Sequence, residues 1–161
     1  MSDDPLEWAP ISPSRIKRSE LRELLSFWAA HCEGATLPSV SRIPPDELIP
    51  YLGHLIFAEI EEHTDRIRYR QVGEELVRIY GKNLDGVYID DMPRLFRTYA
   101  LPAYRAVLRR RQAVYGEIRF LRNLRFVTYE RLMLPLRADE GDRVAEVIVG
   151  IYPRIGPRSA P

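Results

Sequence analysis

Apolar positions recur with different periods along this chain, and the changes of period mark out its elements. From Ser19 to Cys32, Leu21, Leu24, Leu25 and Trp28 return at intervals of three and four, which places one apolar stripe on a helix. Ser19 is a natural N-cap, Glu20 and Glu23 suit the positive helix start, and Gly34 ends the run. A proline-rich connector follows from Ala35 to Pro45, and Asp46–Leu52 reads as one helical turn. His54–Ile60 and Arg66–Val72 are then two strand-like runs joined by the short polar segment Glu61–Asp65, a hairpin pattern. In the second run Ile67, Tyr69 and Gln71 alternate with Arg68 and Arg70, so the first three are assigned to one face.

Gly73 and Gly81 bracket a short helix, Glu74–Tyr80, and Asn83, Asp85 and Gly86 make a turn. Leu95–Arg111 has helical period with a kink near Pro102, and Asp90 and Asp91 are placed to cap it. The last third changes character. Val114–Leu121, Phe126–Leu136 and Val144–Tyr152 are rich in β-branched and aromatic residues, with turns at Arg122–Arg125 and Arg137–Arg143. Strands at both ends with helices between them predict an α+β fold: one five-stranded antiparallel sheet, the mid-chain helices on one face, and the Leu21/Trp28 helix on the other face or on a dimer mate. The expected division is a flexible lead-in, flanking helix and connector over 1–43, a sensor-like domain over 44–153, and a loose tail over 154–161. Met1–Pro13, rich in Pro, Asp and Ser, forms the loose start of that lead-in.

Composition narrows the function. A net charge of +1 provides no general attraction to nucleic acid or anionic membrane. Nearly all cations are arginine, the lysines being Lys17 and Lys82 alone, which is chiefly a genome-composition signal. A single cysteine, Cys32, rules out an intrachain disulfide and fits a reducing compartment. No leader-like segment and no apolar run long enough for a membrane span is present, so a cytoplasmic location is expected. Phosphate-loop, nucleophile-elbow and HExxH patterns are missing.

Several stretches resemble PAS-domain signatures. RIRYRQVGEELVRIYGKNLDG, Arg66–Gly86, is similar to the second strand, the short helix and the glycine after it; Gly73 stands where an Asn usually opens that helix. YERLMLPLRADEG, Tyr129–Gly141, resembles the penultimate strand and its turn, and VIVGIYP, Val147–Pro153, the last strand. SFWAAHCEGATLP, Ser26–Pro38, together with those strands, resembles a family of single-PAS-domain proteins common in alphaproteobacteria and long catalogued as a domain of unknown function. The resemblance spans about Leu21–Tyr152. It implies a stand-alone sensor or adaptor of bacterial signal transduction without catalysis of its own. It also implies homodimerisation through Leu21, Leu24, Leu25 and Trp28, with two-component signalling proteins as partners.

The same resemblance implies a ligand cavity between sheet and helices. Positions alternating upstream of Pro135 then face it: Met133, Arg131, Tyr129 and Val127. Periodicity by itself favours the Leu132/Leu134/Leu136 row as core; both hold if that row packs beneath the N-terminal helix. Tyr69, Gln71, Tyr80, Tyr99 and Tyr152 are further candidates for the lining, with ordinary aromatic core as their other reading. Arg131 would be an inward charge that needs a protein carboxylate or an anionic ligand, unless it sits at the surface. No cofactor is expected. A photoactive flavin needs a reactive cysteine after the second strand, haem needs an axial histidine in the long helix, and neither is there. His31, His54 and His63 lack metal-ligand spacing. Two rivals stay open: a small cavity enzyme using Glu130 or Arg131 as its acid/base group, and a nucleic-acid module built on Arg109–Arg111, a cluster for which a solvated helix end is the preferred reading.

Overall fold

A computed structural model describes residues 11–34, 36–122 and 124–154, apart from the side chains of 120–122. The order is α1 (Ser19–Ala30), β1 (Leu55–Ile60), β2 (Ile67–Val72), α2 (Glu74–Tyr80), α3 (Arg94–Arg110), β3 (Val114–Arg122), β4 (Arg125–Arg137) and β5 (Val144–Pro153). The strands form one sheet in the order β2-β1-β5-β4-β3, and each neighbouring pair is antiparallel. The class is α+β, as the succession of periods predicts.

Both faces of the sheet are covered, which explains why β4 and β5 carry almost no polar residue between Leu132 and Tyr152 apart from their turn. On one face, Ile56, Ala58, Ile67, Tyr69, Val72, Met133, Val147, Val149 and Ile151 pack against Leu76 of α2 and Ala100, Ala103, Tyr104 and Val107 of α3. On the other, Leu55, Phe57, Leu132, Leu134, Leu136 and Ile148 pack against Leu21, Leu24 and Leu25 of α1 and against Leu48 of a 3-10 segment, Pro45–His54. The Leu row of β4 does lie beneath α1. Gly150 permits this contact: a Cβ there would stand 2.9 Å from Leu21 Cδ2 and 3.2 Å from Leu24 Cδ1.

Four sequence expectations change here. The Leu21/Leu24/Leu25 stripe is buried within its own chain and Trp28 is half-buried, its indole N–H donating to the Pro135 carbonyl at 2.8 Å; the stripe is not a free dimer face. Ser19 does not cap α1. The N-cap residue is Arg18, and across the fold the Glu130 carboxylate accepts the backbone N–H groups of Lys17 and Arg18, just ahead of the helix. Asp90 and Asp91 do not cap α3 but pair with Arg66 at 3.4 and 3.5 Å. The expected loose lead-in and tail fall mostly outside the described residues, but Pro13–Arg15 form a 3-10 turn and Ile11 packs against the α1-side core.

Gly73 has a reason other than backbone freedom. Its φ of −64° is ordinary, yet a Cβ there would lie 2.2 Å from the Leu52 carbonyl oxygen. Only glycine fits where the start of α2 crosses the end of the 3-10 segment.

Candidate functional site

A cavity of about 540 Å³ lies between the sheet and α3. Two smaller ones, about 420 and 400 Å³, are a charged cleft at Glu59, Arg68 and Arg143 and a groove on the α1 side at Ile43, Leu48 and Phe57. The large cavity is floored by Ile56, Val149 and Ile151 and roofed by Phe96, Ala100 and Tyr104. Tyr69, Tyr80 and Arg131 also line it. Its rim carries Leu95, Tyr99 and Phe126, exposed to 71%, 63% and 67%. Arg119 stands at the hairpin rim with its guanidinium carbon 5.2 Å from the Phe126 ring centre. Its pairing with Thr128 gives it the strand phase opposite to Arg131, whose neighbour on β3 is Gly116.

The polar groups cluster. The Tyr104 hydroxyl donates to the Tyr69 hydroxyl at 3.3 Å, and the two rings lie 6.3 Å apart. Burial raises the pKa of Tyr69, Tyr80 and Tyr104 well above the ordinary phenol value. Positive charge on Arg131 acts against that rise at all three, so the guanidinium and the three phenols share one electrostatic neighbourhood. Tyr80 is fixed edge-on against Phe96, with ring centres 5.7 Å apart.

Of the residues assigned to the cavity from sequence, Tyr69, Tyr80, Tyr99 and Arg131 line it. Tyr129 and Met133 face the same side but are buried in the core beside it. Gln71 does not face it. Register slips between the Phe57–Gln71 and Ala58–Tyr69 pairs, so Arg70 is an extra residue, a bulge, and the alternation restarts out of phase with Val72 inward and Gln71 exposed. Tyr152 is on the α1 side, stacked on His54 with ring centres 4.1 Å apart and covered by Arg18; burial pushes its phenol up to about 12. Sequence reasoning missed Phe96, Ala100 and Tyr104, although their spacing on α3 is a readable helical stripe.

Glu130 and Arg131 project to opposite faces, so they do not meet as an acid/base pair. Glu130 is fully buried on the α1 side. One carboxylate oxygen, Oε1, accepts the backbone N–H of Lys17 at 3.1 Å, that of Arg18 at 3.2 Å and the Tyr115 hydroxyl at 2.6 Å. Successive residues of β4 thus hold the cavity wall and the entry to α1. At the end of α3 Arg109 is exposed, and Arg111, at φ 54°, closes the helix and bonds the Asp142 carbonyl. Among the described residues no group of His, Cys, Asp and Glu could hold a metal ion, and no helix is long and apolar enough to cross a membrane.

Solved structures with a similar chain path include a light-oxygen-voltage domain whose mechanism was probed with a flavin analogue, at 12% identity and a TM-score of 0.49, covering 68% of this chain and 83% of that one. A PAS domain of a protein from Colwellia psychrerythraea is 10% identical with a TM-score of 0.47, covering 68% and 96%. An RNA-binding light-oxygen-voltage receptor is 18% identical with a TM-score of 0.45, covering 74% and 36%. No curated protein matches this chain. The family model described as PAS domain matches residues 16–152, nearly all of the described fold, and the chain belongs to the PAS-domain family.

Proposed function

We propose that this chain is a sensor or adaptor module of bacterial signal transduction that takes a small organic ligand into the cavity between sheet and α3 and answers through α1. The observation that carries this reading is the division of labour on β4: Arg131 lines the cavity, and Glu130, one residue away, holds the start of α1 from the opposite face. A ligand that shifts β4 changes the footing of α1, and the equilibrium moves between two packings of that helix. The outward side of α1 presents Arg22, Glu23, Ser26, Ala29 and Ala30, all exposed. This is the surface a second copy of the chain, or a two-component signalling protein in the cytoplasm, would read.

A cavity of this size falls within the range of drug-sized ligand sites. Thermal melting of the purified chain against a panel of small apolar organic molecules tests the reading, because a ligand of the folded state raises Tm by mass action. Compounds that raise the Tm of wild type should fail to raise that of Ala100→Leu, which narrows the cavity. If no compound acts, or the variant responds equally, the ligand-sensing reading is wrong.

A further inference from the structure

We propose that this chain docks on anionic lipid surfaces through the face formed by α3 and the β3–β4 hairpin, the face on which the cavity between sheet and α3 opens. Docking of this kind needs no ligand in the cavity. The net charge of +1 conceals a division along the chain. Residues 92–127 carry nine arginines and a single carboxylate, Glu117, whereas the remainder carries 15 cations and 22 anions. Glu117 is itself engaged from outside that stretch, by Arg154 at 3.3 Å. Elsewhere arginine is matched side chain by side chain: Arg66 with Asp90, Arg68 with Glu59, Arg70 with Glu146 and Arg78 with Glu75. Arg94, Arg105, Arg109, Arg119 and Arg125 are exposed and form no ion pair among the described residues. The first three are spaced by three helical turns and then one, so they share the outward side of α3, away from Ala100, Ala103 and Val107 in the core. At the end of the hairpin, register sets Arg122 opposite Arg125, a pairing of like charges that an anionic surface relieves.

Apolar side chains decide which anion fits. Among the described residues the exposed large hydrophobics are Ile49, Leu95, Tyr99, Leu124 and Phe126, and all but Ile49 lie on this face. Leu95 and Tyr99 stand on consecutive turns of α3 at the cavity mouth, Phe126 borders the same mouth, and Leu124, 94% exposed, lies in the hairpin turn beside it. A cluster of this kind marks an interaction surface. Nucleic acid would engage the arginines and the rings but offers nothing to Leu95 and Leu124. A single acidic peptide follows one line, whereas the cations here run along the 17 residues of α3, about 25 Å, and across to the hairpin. An anionic bilayer covers that whole area at once. Its headgroups meet the guanidinium groups, and its acyl boundary takes up the leucines and aromatic rings.

Co-sedimentation of the full chain with vesicles decides this, using phosphatidylcholine alone and phosphatidylcholine with about one-third phosphatidylglycerol. Binding is expected to the anionic vesicles only, and it should fall steeply as sodium chloride is raised to about 0.5 M. Arg105→Gln combined with Arg109→Gln should lower the affinity about fivefold per arginine removed, and Leu124→Gln about tenfold. These side chains are exposed, so the variants should fold as wild type does, which circular dichroism checks. The emission of Leu124→Trp, with wild type subtracted, should move to shorter wavelength on anionic vesicles and stay fixed on neutral ones. A short DNA duplex and polyglutamate at the same low salt separate lipid from other polyanions. Failure to sediment with anionic vesicles at low salt would overturn the proposal. So would binding to DNA or polyglutamate as tight as to those vesicles, or vesicle binding that Leu124→Gln leaves unchanged and that gives no emission shift.

Discussion

At the scale of single residues, two positions carry the sharpest expectations. Gly73 sits where an added methyl would meet the Leu52 carbonyl oxygen at 2.2 Å and the Gly53 carbonyl at 2.4 Å. Both obstacles are backbone, which cannot rotate aside, so Gly73→Ala should cost about 3 kcal/mol, the upper end for overpacking, read as a lower urea midpoint. The buried phenols make a second prediction. Burial raises the folded-state pKa of Tyr69, Tyr80 and Tyr104 above the ordinary phenol value, so the folded chain holds those protons more tightly than the unfolded chain. Their contribution to stability is therefore complete below about pH 10 and declines as pH rises beyond it. A near-ultraviolet titration should show these tyrosines ionising together with loss of far-ultraviolet circular dichroism. Smooth ionisation of every tyrosine in a folded chain would contradict it. Legibility at this scale was uneven. Arg131 and Tyr69 could be placed by alternation, whereas Gln71 could not, because a one-residue bulge at Arg70 reverses every later position and leaves no mark in composition.

Among the elements, α1 is the one whose seat decides how the chain can signal. Its stripe was readable from helical spacing, but its entry was not: the carboxylate that binds the two N–H groups just before it, Glu130, comes from β4, more than a hundred residues away. Ser19 looked like a cap because local sequence is all that a cap rule consults. Glu130→Ala should cost about 3 kcal/mol, since it removes the acceptor from two backbone N–H groups and the Tyr115 hydroxyl, together with the negative partner at a helix start. Glu130→Gln keeps an acceptor and should cost less, and Tyr115→Phe about 1 kcal/mol. Denaturant midpoints rank the three; equal losses would show that Glu130 works as packing alone. Gly150→Ala tests the same seat from the next strand. Its methyl would meet the ends of Leu21 and Leu24, which can yield slightly, so about 1–2 kcal/mol is expected, with α1 displaced rather than unfolded.

For the whole molecule, the order of strand and helix periods was enough to predict the class, the single antiparallel sheet and the helices on one face, while the helix Ser19–Ala30 was left between the other face and a dimer mate. Those features follow from local periodicity plus the need to bury both sides of a sheet, and both are written in the sequence. The cavity was half legible. Its strand side came from alternation, but Phe96, Ala100 and Tyr104 acquire their role only when α3 lies across the sheet, a long-range fact. What the assembled fold adds is a layer one residue thick between cavity and α1, spanned by neighbouring side chains of β4. Amide hydrogen exchange tests that arrangement most directly, with a compound that binds the cavity present and absent, in wild type and in Ala100→Leu. Altered protection in α1, from Arg22 to Ala30, is predicted in wild type only. Protection that changes around α2 and α3 while α1 exchanges as before would contradict it.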